Sequence, residues 1–310
     1  MGLKSKNILL AFLIVISFAA ITHAAWEGPV EVVSLTWGQG AGQVGLKSAD
    51  TADIFPTDIL IALEGKIVVG DIINNRVIIF NTDGSLQKTF APIGMPVGVR
   101  MAGLQGGFLS GGRLLIKLGD KYQIYNYNGD LLNQFTGVAT YIQELVTLSD
   151  DTIVVYKSDT KSYSLYSPTG ALIRTTTERP LELGKVKEKK TATGYTYTVQ
   201  YPDITNPNTV KTYTINLPGL YRRFIRDNIG NINVIAGKEV RKFDSEGNEL
   251  GILTIPEDER RVIRPGGGGF EAREQIIVQY GETVIAPNGD VYTWKRTPTT
   301  YSIIKWTWRP

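Results

Sequence analysis

The charged side chains this sequence could gather at one place are Asp58, Arg100, Glu144, Glu182, Arg222, Arg223 and Arg226. Each stands in a short segment that reads as the first strand of a multi-strand unit, and both signs occur. Convergence of such groups would suit a small polar ligand or a charged peptide group, since an Arg fork matches a carboxylate and an acid answers a cation. The alternative is that they pair with one another. Other chemistries fall away by residue type. The chain has no Cys, which removes disulfides and thiol nucleophiles. Its single His, His23, lies in an N-terminal segment that reads as a removable leader. Without it there is no imidazole for a Ser-His-Asp relay or a zinc site. Carboxylate and amide chemistry remains, with an oxygen-liganded calcium ion as the cofactor it would favour.

The elements that must position these residues are short strands. Residues 56–90 divide into strands at 57–63, 66–70 and 76–81 and a fourth after Asp83-Gly84, separated by turns whose residues tolerate positive φ. A four-strand unit cannot bury both of its faces alone, so it should recur. The turn before the second strand recurs at Gly65, Gly112, Asp151, Gly194, Gly230 and Gly289. An aromatic residue four before a Gly recurs at Phe80, Tyr125, Tyr166 and Phe243. The fourth unit lacks this marker and offers strands at 194–201 and 211–217. The sixth has only three strands before the C-terminus, which leaves 30–37, VEVVSLTW, as the strand that completes it and closes a ring.

The expected fold is therefore all-β, a six-bladed β-propeller over residues 25–310 with its last blade completed by an N-terminal strand. The first unit resembles the NHL repeat at Gly65, Val68, Asp71, Asn75, Arg76, Phe80, Asn81 and Gly84. The resemblance implies that Asp71, Asn75 and Arg76 serve the blade turn, with Asp71 accepting from Arg76 or from backbone donors; an ion or partner site is the competing use. A second, shorter resemblance is Glu27-Gly28-Pro29, similar to the motif with which gluconolactonase-like propellers place a metal-binding Glu. It implies Glu27 as a metal candidate, against a plain mature N-terminus.

Residues 1–24 carry Lys4 and Lys6 ahead of an apolar run from Ile8 to Ile21 and a Thr-His-Ala end, the pattern of a cleavable signal peptide. Cleavage near Ala24 would leave a secreted or periplasmic protein with no membrane span and a net charge of about +1. No concentrated basic stripe then remains for nucleic acid. The Lys185–Lys190 cluster is interrupted by Glu188 and reads as a solvated edge or loop. Residues 257–281 do not fit the repeat. Gly266 to Gly269 would make a hinge, Phe270 to Val278 a short helix or an added strand, and Phe270 a contact on a loop-rich face. A smaller Gly-rich stretch at 105–112 reads as an insertion that breaks the second unit or as a wide hairpin. Trp306 and Trp308 share a strand face, and Trp37 should approach Trp308 where the ring closes.

The functional expectation is a non-catalytic scaffold presenting one face to a protein or peptide partner in an extracytoplasmic assembly, with Asp58, Arg100, Glu144, Arg223, Arg226 and Phe270 on that face. A calcium-dependent, lactonase-like hydrolase and a carbohydrate-binding module are the alternatives. The hydrolase demands clustered channel acids, and the sugar binder an exposed aromatic platform.

Overall fold

The computed structural model describes residues 25–47, 59–61, 65–94, 105–137, 142–221, 223–263 and 273–310. Residues 1–24, Asp58, Arg100, Arg222 and Phe270 lie outside the described residues.

Six sheets follow one another along the chain, antiparallel except where residues 36–37 pair parallel with residues 43–44. After β1 (Ala25–Trp37) and the two-residue β2 (Gln43–Val44), blade 1 holds β3 (Ile59–Ile61), β4 (Ile67–Asp71), β5 (Arg76–Phe80) and β6 (Leu86–Phe90). Blade 2 holds β7 (Gly106–Leu109), β8 (Arg113–Leu118), β9 (Lys121–Asn126) and β10 (Leu131–Thr136). Blade 3 holds β11 (Ile142–Thr147), β12 (Ile153–Lys157), β13 (Ser162–Tyr166) and β14 (Leu172–Thr176). A single 3-10 turn, Leu181–Leu183, leads into blade 4, which has only β15 (Lys185–Lys190), β16 (Tyr195–Pro202) and β17 (Val210–Leu217). Blade 5 holds β18 (Arg223–Arg226), β19 (Ile232–Ala236), β20 (Glu239–Phe243) and β21 (Glu249–Thr254). Blade 6 is built on β23 (Arg273–Ile285), β24 (Val291–Arg296) and β25 (Thr300–Arg309), with β22 (Glu259–Ile263) beside the first half of β23.

Middle strands such as Ile67–Val69 and Val77–Phe80 are buried on both faces because each blade is pressed between two others. Of the outer strands, β10 and β14 are mostly exposed and β6 has no buried residue. The ring closes as the sequence required. β1 pairs antiparallel with β25 from Ala25↔Arg309 to Thr36↔Thr300, so the first strand is the outer strand of the last blade. Val33 and Leu35 of β1, Tyr301 and Ile303 of β25 and Ile67 and Phe80 of blade 1 share one core. The same register corrects one expectation. Antiparallel pairing sets Trp308 opposite Trp26, with ring centroids 5.0 Å apart, while Trp37 lies at the other end of the pair against Tyr301.

The turn glycine of the second marker has a defined purpose. Gly84, Gly129, Gly170 and Gly247 all have φ between 83° and 89°. A Cβ on each would strike, in turn, Val32, Phe90, Phe135 and Thr214. The first three of those residues lie on the outer strand of the preceding blade. By the same contact, β17 is the outer strand of blade 4, and the strand that this blade lacks is the inner one. The Gly194 turn consequently joins what are the second and third strands of a full blade. The 105–112 stretch is the inner strand of blade 2 and its turn rather than an inserted loop.

Within residues 257–281, β22 pairs antiparallel with the first part of β23, Glu259 opposite Val278 and Ile263 opposite Arg273. Of the two expected forms for the second half of this insertion, the added strand is the one present.

Candidate functional site in the central channel

The inner strands surround a cavity of about 700 Å³ lined by Leu60, Gln105, Glu144, Tyr156, Tyr163, Arg179, Arg223 and Glu282 among others. Five blades contribute inner-strand residues to it, and at blade 4 the connecting segment supplies Arg179 instead.

Arg179 organises one wall. Its Nη1 and Nη2 donate to the two Glu144 carboxylate oxygens at 2.8 and 3.1 Å. Its Nε donates to the Gly184 carbonyl at 2.9 Å, Nη2 to the Leu183 carbonyl at 3.1 Å, and Nη1 to the Tyr163 hydroxyl at 3.4 Å. Every donor of the fork is thereby used, in the bidentate geometry that makes Arg–carboxylate pairs strong. Burial alone would lower the Arg179 pKa, but the Glu144 and Tyr163 oxygens reverse this and hold it above its ordinary value. Glu144 is thus an anchor for a connecting segment as well as a channel residue.

The opposite wall is less committed. Arg223 is exposed, and its one contact among the described residues is a 3.4 Å bond from Nη1 to the Thr283 carbonyl. Glu282, next to Thr283, is also exposed. Among the described residues the cavity therefore presents one cation and one anion, with Tyr156 and Leu60 as apolar surface. Arg226, three residues along β18, is directed elsewhere. Its guanidinium donates to the Pro202 carbonyl and lies over the Tyr201 ring at 4.9 Å, joining blades 4 and 5. Burial pushes the Tyr201 hydroxyl up to about 12.

The turn residues sit far along the chain from this wall and are engaged with the protein. Asp71 is fully buried. It accepts from Arg76 Nε at 2.9 Å, from the Asn74 side chain at 2.8 Å and from the Gly45 amide at 3.0 Å. Arg76 continues to the Gln39, Gly40 and Gln43 carbonyls. This network fastens the segment after β1 to blade 1, and Asn75 takes a φ of 55° in the turn. Glu27 is exposed and accepts from Arg309 Nε at 2.9 Å. Among the described residues no cluster of three or more His, Cys, Asp or Glu side chains could hold a metal ion. None of the five Trp residues is exposed: Trp294, Trp306 and Trp308 are buried and Trp26 and Trp37 half-buried, so the aromatic platform a sugar binder needs is not formed by them.

Arg179 and Glu282 were not legible as site residues. Arg179 lies outside every strand of the repeat, and Glu282 follows the insertion that blurs where blade 6 begins.

No family model and no curated protein matches the chain. Among solved structures it is similar to a streptogramin B lyase at 11% identity and a TM-score of 0.43, over 82% of this chain and 93% of that one. It is also similar to a catalytically inactive virginiamycin B lyase from Staphylococcus aureus with quinupristin, at 9% identity and a TM-score of 0.45, over 84% and 98%. The likeness is one of overall fold, and the reading of the site rests on this chain's own residues.

Proposed function

We propose that the protein is an NHL-like binding scaffold, exported after removal of residues 1–24, that holds a protein or peptide partner at the channel mouth. The observation that carries this reading is the division of charge in the cavity. Glu144 and Arg179 neutralise each other and fix the wall, while Arg223 and Glu282 stay exposed for an incoming group of either sign. Paired opposite charges beside Tyr156 and Leu60 suit a peptide segment, which carries both charges and apolar side chains.

The test is capture of partners from cell-envelope extract on immobilised protein, run beside an Arg223→Glu, Glu282→Lys variant of equal thermal stability. Partners that the wild type retains and the variant loses support the reading; identical capture by both overturns it. A melting midpoint that rises with calcium would instead bring the lactonase-like reading forward, because an ion that binds only the folded state must stabilise it.

A further inference from the structure

Blade 4 has three strands, whereas each of the other five blades has at least four. Among the described residues its inner strand is missing, which makes β15 an edge strand. On one side it pairs with β16 over all six residues, Lys185↔Gln200 to Lys190↔Tyr195. Among the described residues no strand pairs with its other side. Five of its six residues are exposed. A strand in this state offers a row of unpaired N–H and C=O groups, the template on which an extended peptide can add.

The charge of this edge selects the peptide. β15 reads KVKEKK, four Lys against one Glu. Lys185, Lys187 and Lys189 point to one face and continue across the sheet as Gln200, Thr198 and Thr196. Among the described residues only Lys185 of these forms an ion pair, with Glu178 at 3.5 Å, an exposed pair of little strength. We infer that an acidic, extended segment of a partner protein adds along β15 as the fourth strand of blade 4. Its main chain supplies the ladder hydrogen bonds, and its alternate acidic side chains meet Lys187 and Lys189. The inference deepens the scaffold reading by naming the chemistry of the partner; its site is the inner edge of blade 4, and the Lys187 and Lys189 contacts it needs are not part of the Arg223–Glu282 lining.

The probe is a synthetic peptide of alternating Glu and Val residues as long as β15, binding to the purified protein being followed by fluorescence anisotropy. Binding should weaken as salt is raised. It should weaken roughly tenfold in a Lys187→Glu, Lys189→Glu variant whose melting midpoint is unchanged. A copy of the peptide with alternate backbone nitrogens methylated should fail to bind, since it cannot form the ladder. Amide exchange within residues 185–190 should slow on binding. Equal binding of the methylated copy would reduce the effect to charge adsorption and overturn the inference, as would no binding at all. The Arg223→Glu, Glu282→Lys variant separates the two readings: it should still bind the peptide even if it captures no partner.

Discussion

The residue that most tests the energetics of this protein is Lys242. It is fully buried, with Nζ 2.6 Å from an equally buried Asp227 carboxylate. Trp26 and Trp308 flank it at 5.8 and 5.7 Å from their ring centroids. A buried pair adds little net stability over apolar residues of the same shape, but losing one partner strands a charge. Lys242→Met alone should destabilise by about 3–5 kcal/mol, and adding Asp227→Asn should recover a large part, both read from urea midpoints. Equal loss in the single and double variants would mean that packing against the Trp pair, not charge, is what Lys242 supplies. A second residue makes a prediction about pH. Burial alone would raise the Asp151 pKa, but the Ser110 hydroxyl and amide and the Arg113 guanidinium together hold it below its ordinary 3.8. A lowered carboxyl contributes stability that is complete above 3.8 and is lost as pH falls through the folded value. Asp151→Asn should therefore lower stability at neutral pH and flatten the acid limb of a stability profile; a limb of unchanged slope would contradict this.

At the scale of elements, the turn glycine against the preceding blade is the feature sequence spacing revealed best. Gly84 combines a φ of 83° with a hypothetical Cβ only 1.6 Å from the Val32 carbonyl oxygen. Gly94 has a φ of 76° with open space around it. Gly94→Ala should thus cost only the backbone strain, about 1 kcal/mol, and Gly84→Ala roughly 2–4 kcal/mol because β1 must move. Similar losses from both would remove the blade-to-blade contact from the explanation. The elements that the sequence concealed are equally physical in origin. A repeat marker reports a turn, not whether the strand before it exists, so Gly194 was legible while the absent inner strand of blade 4 was not. Arg179 was hidden because its function lies in a connection, where spacing has no meaning. Trp308 was placed against the wrong Trp because a strand's partner had been inferred without its direction.

For the whole molecule, the interfaces between blades are unequal. Buried clusters join blades 6 and 1, 1 and 2, 2 and 3, 4 and 5, and 5 and 6. Between blades 3 and 4 the cluster consists of Val154, Tyr163 and Leu165 of blade 3, supported by Leu183 of the connecting turn and by no residue of β15 to β17. The face of β16 and β17 turned away from blade 5 carries Thr196, Thr198, Thr212, Thr214 and Asn216 instead. The ring should open here first, since local stability follows buried apolar contact. Limited proteolysis should make its earliest cut, among the described residues, between Thr177 and Gly194, and Arg179→Ala should accelerate that cut more than any cut near Trp37. First cleavage at the β1–β25 seam would show that the weak junction is elsewhere.

That seam has a consequence for how the protein is made. Glu27 and Arg309 meet although 282 residues separate them. During synthesis β1 emerges early and must wait, with Val33 and Leu35 uncovered, until nearly the whole chain has been translated. Blades 1 to 5 can assemble while translation continues, but the ring cannot lock until β25 arrives. Nascent chains stalled before Thr300 should therefore hold a captive first strand, a client for whichever chaperone attends the growing polypeptide.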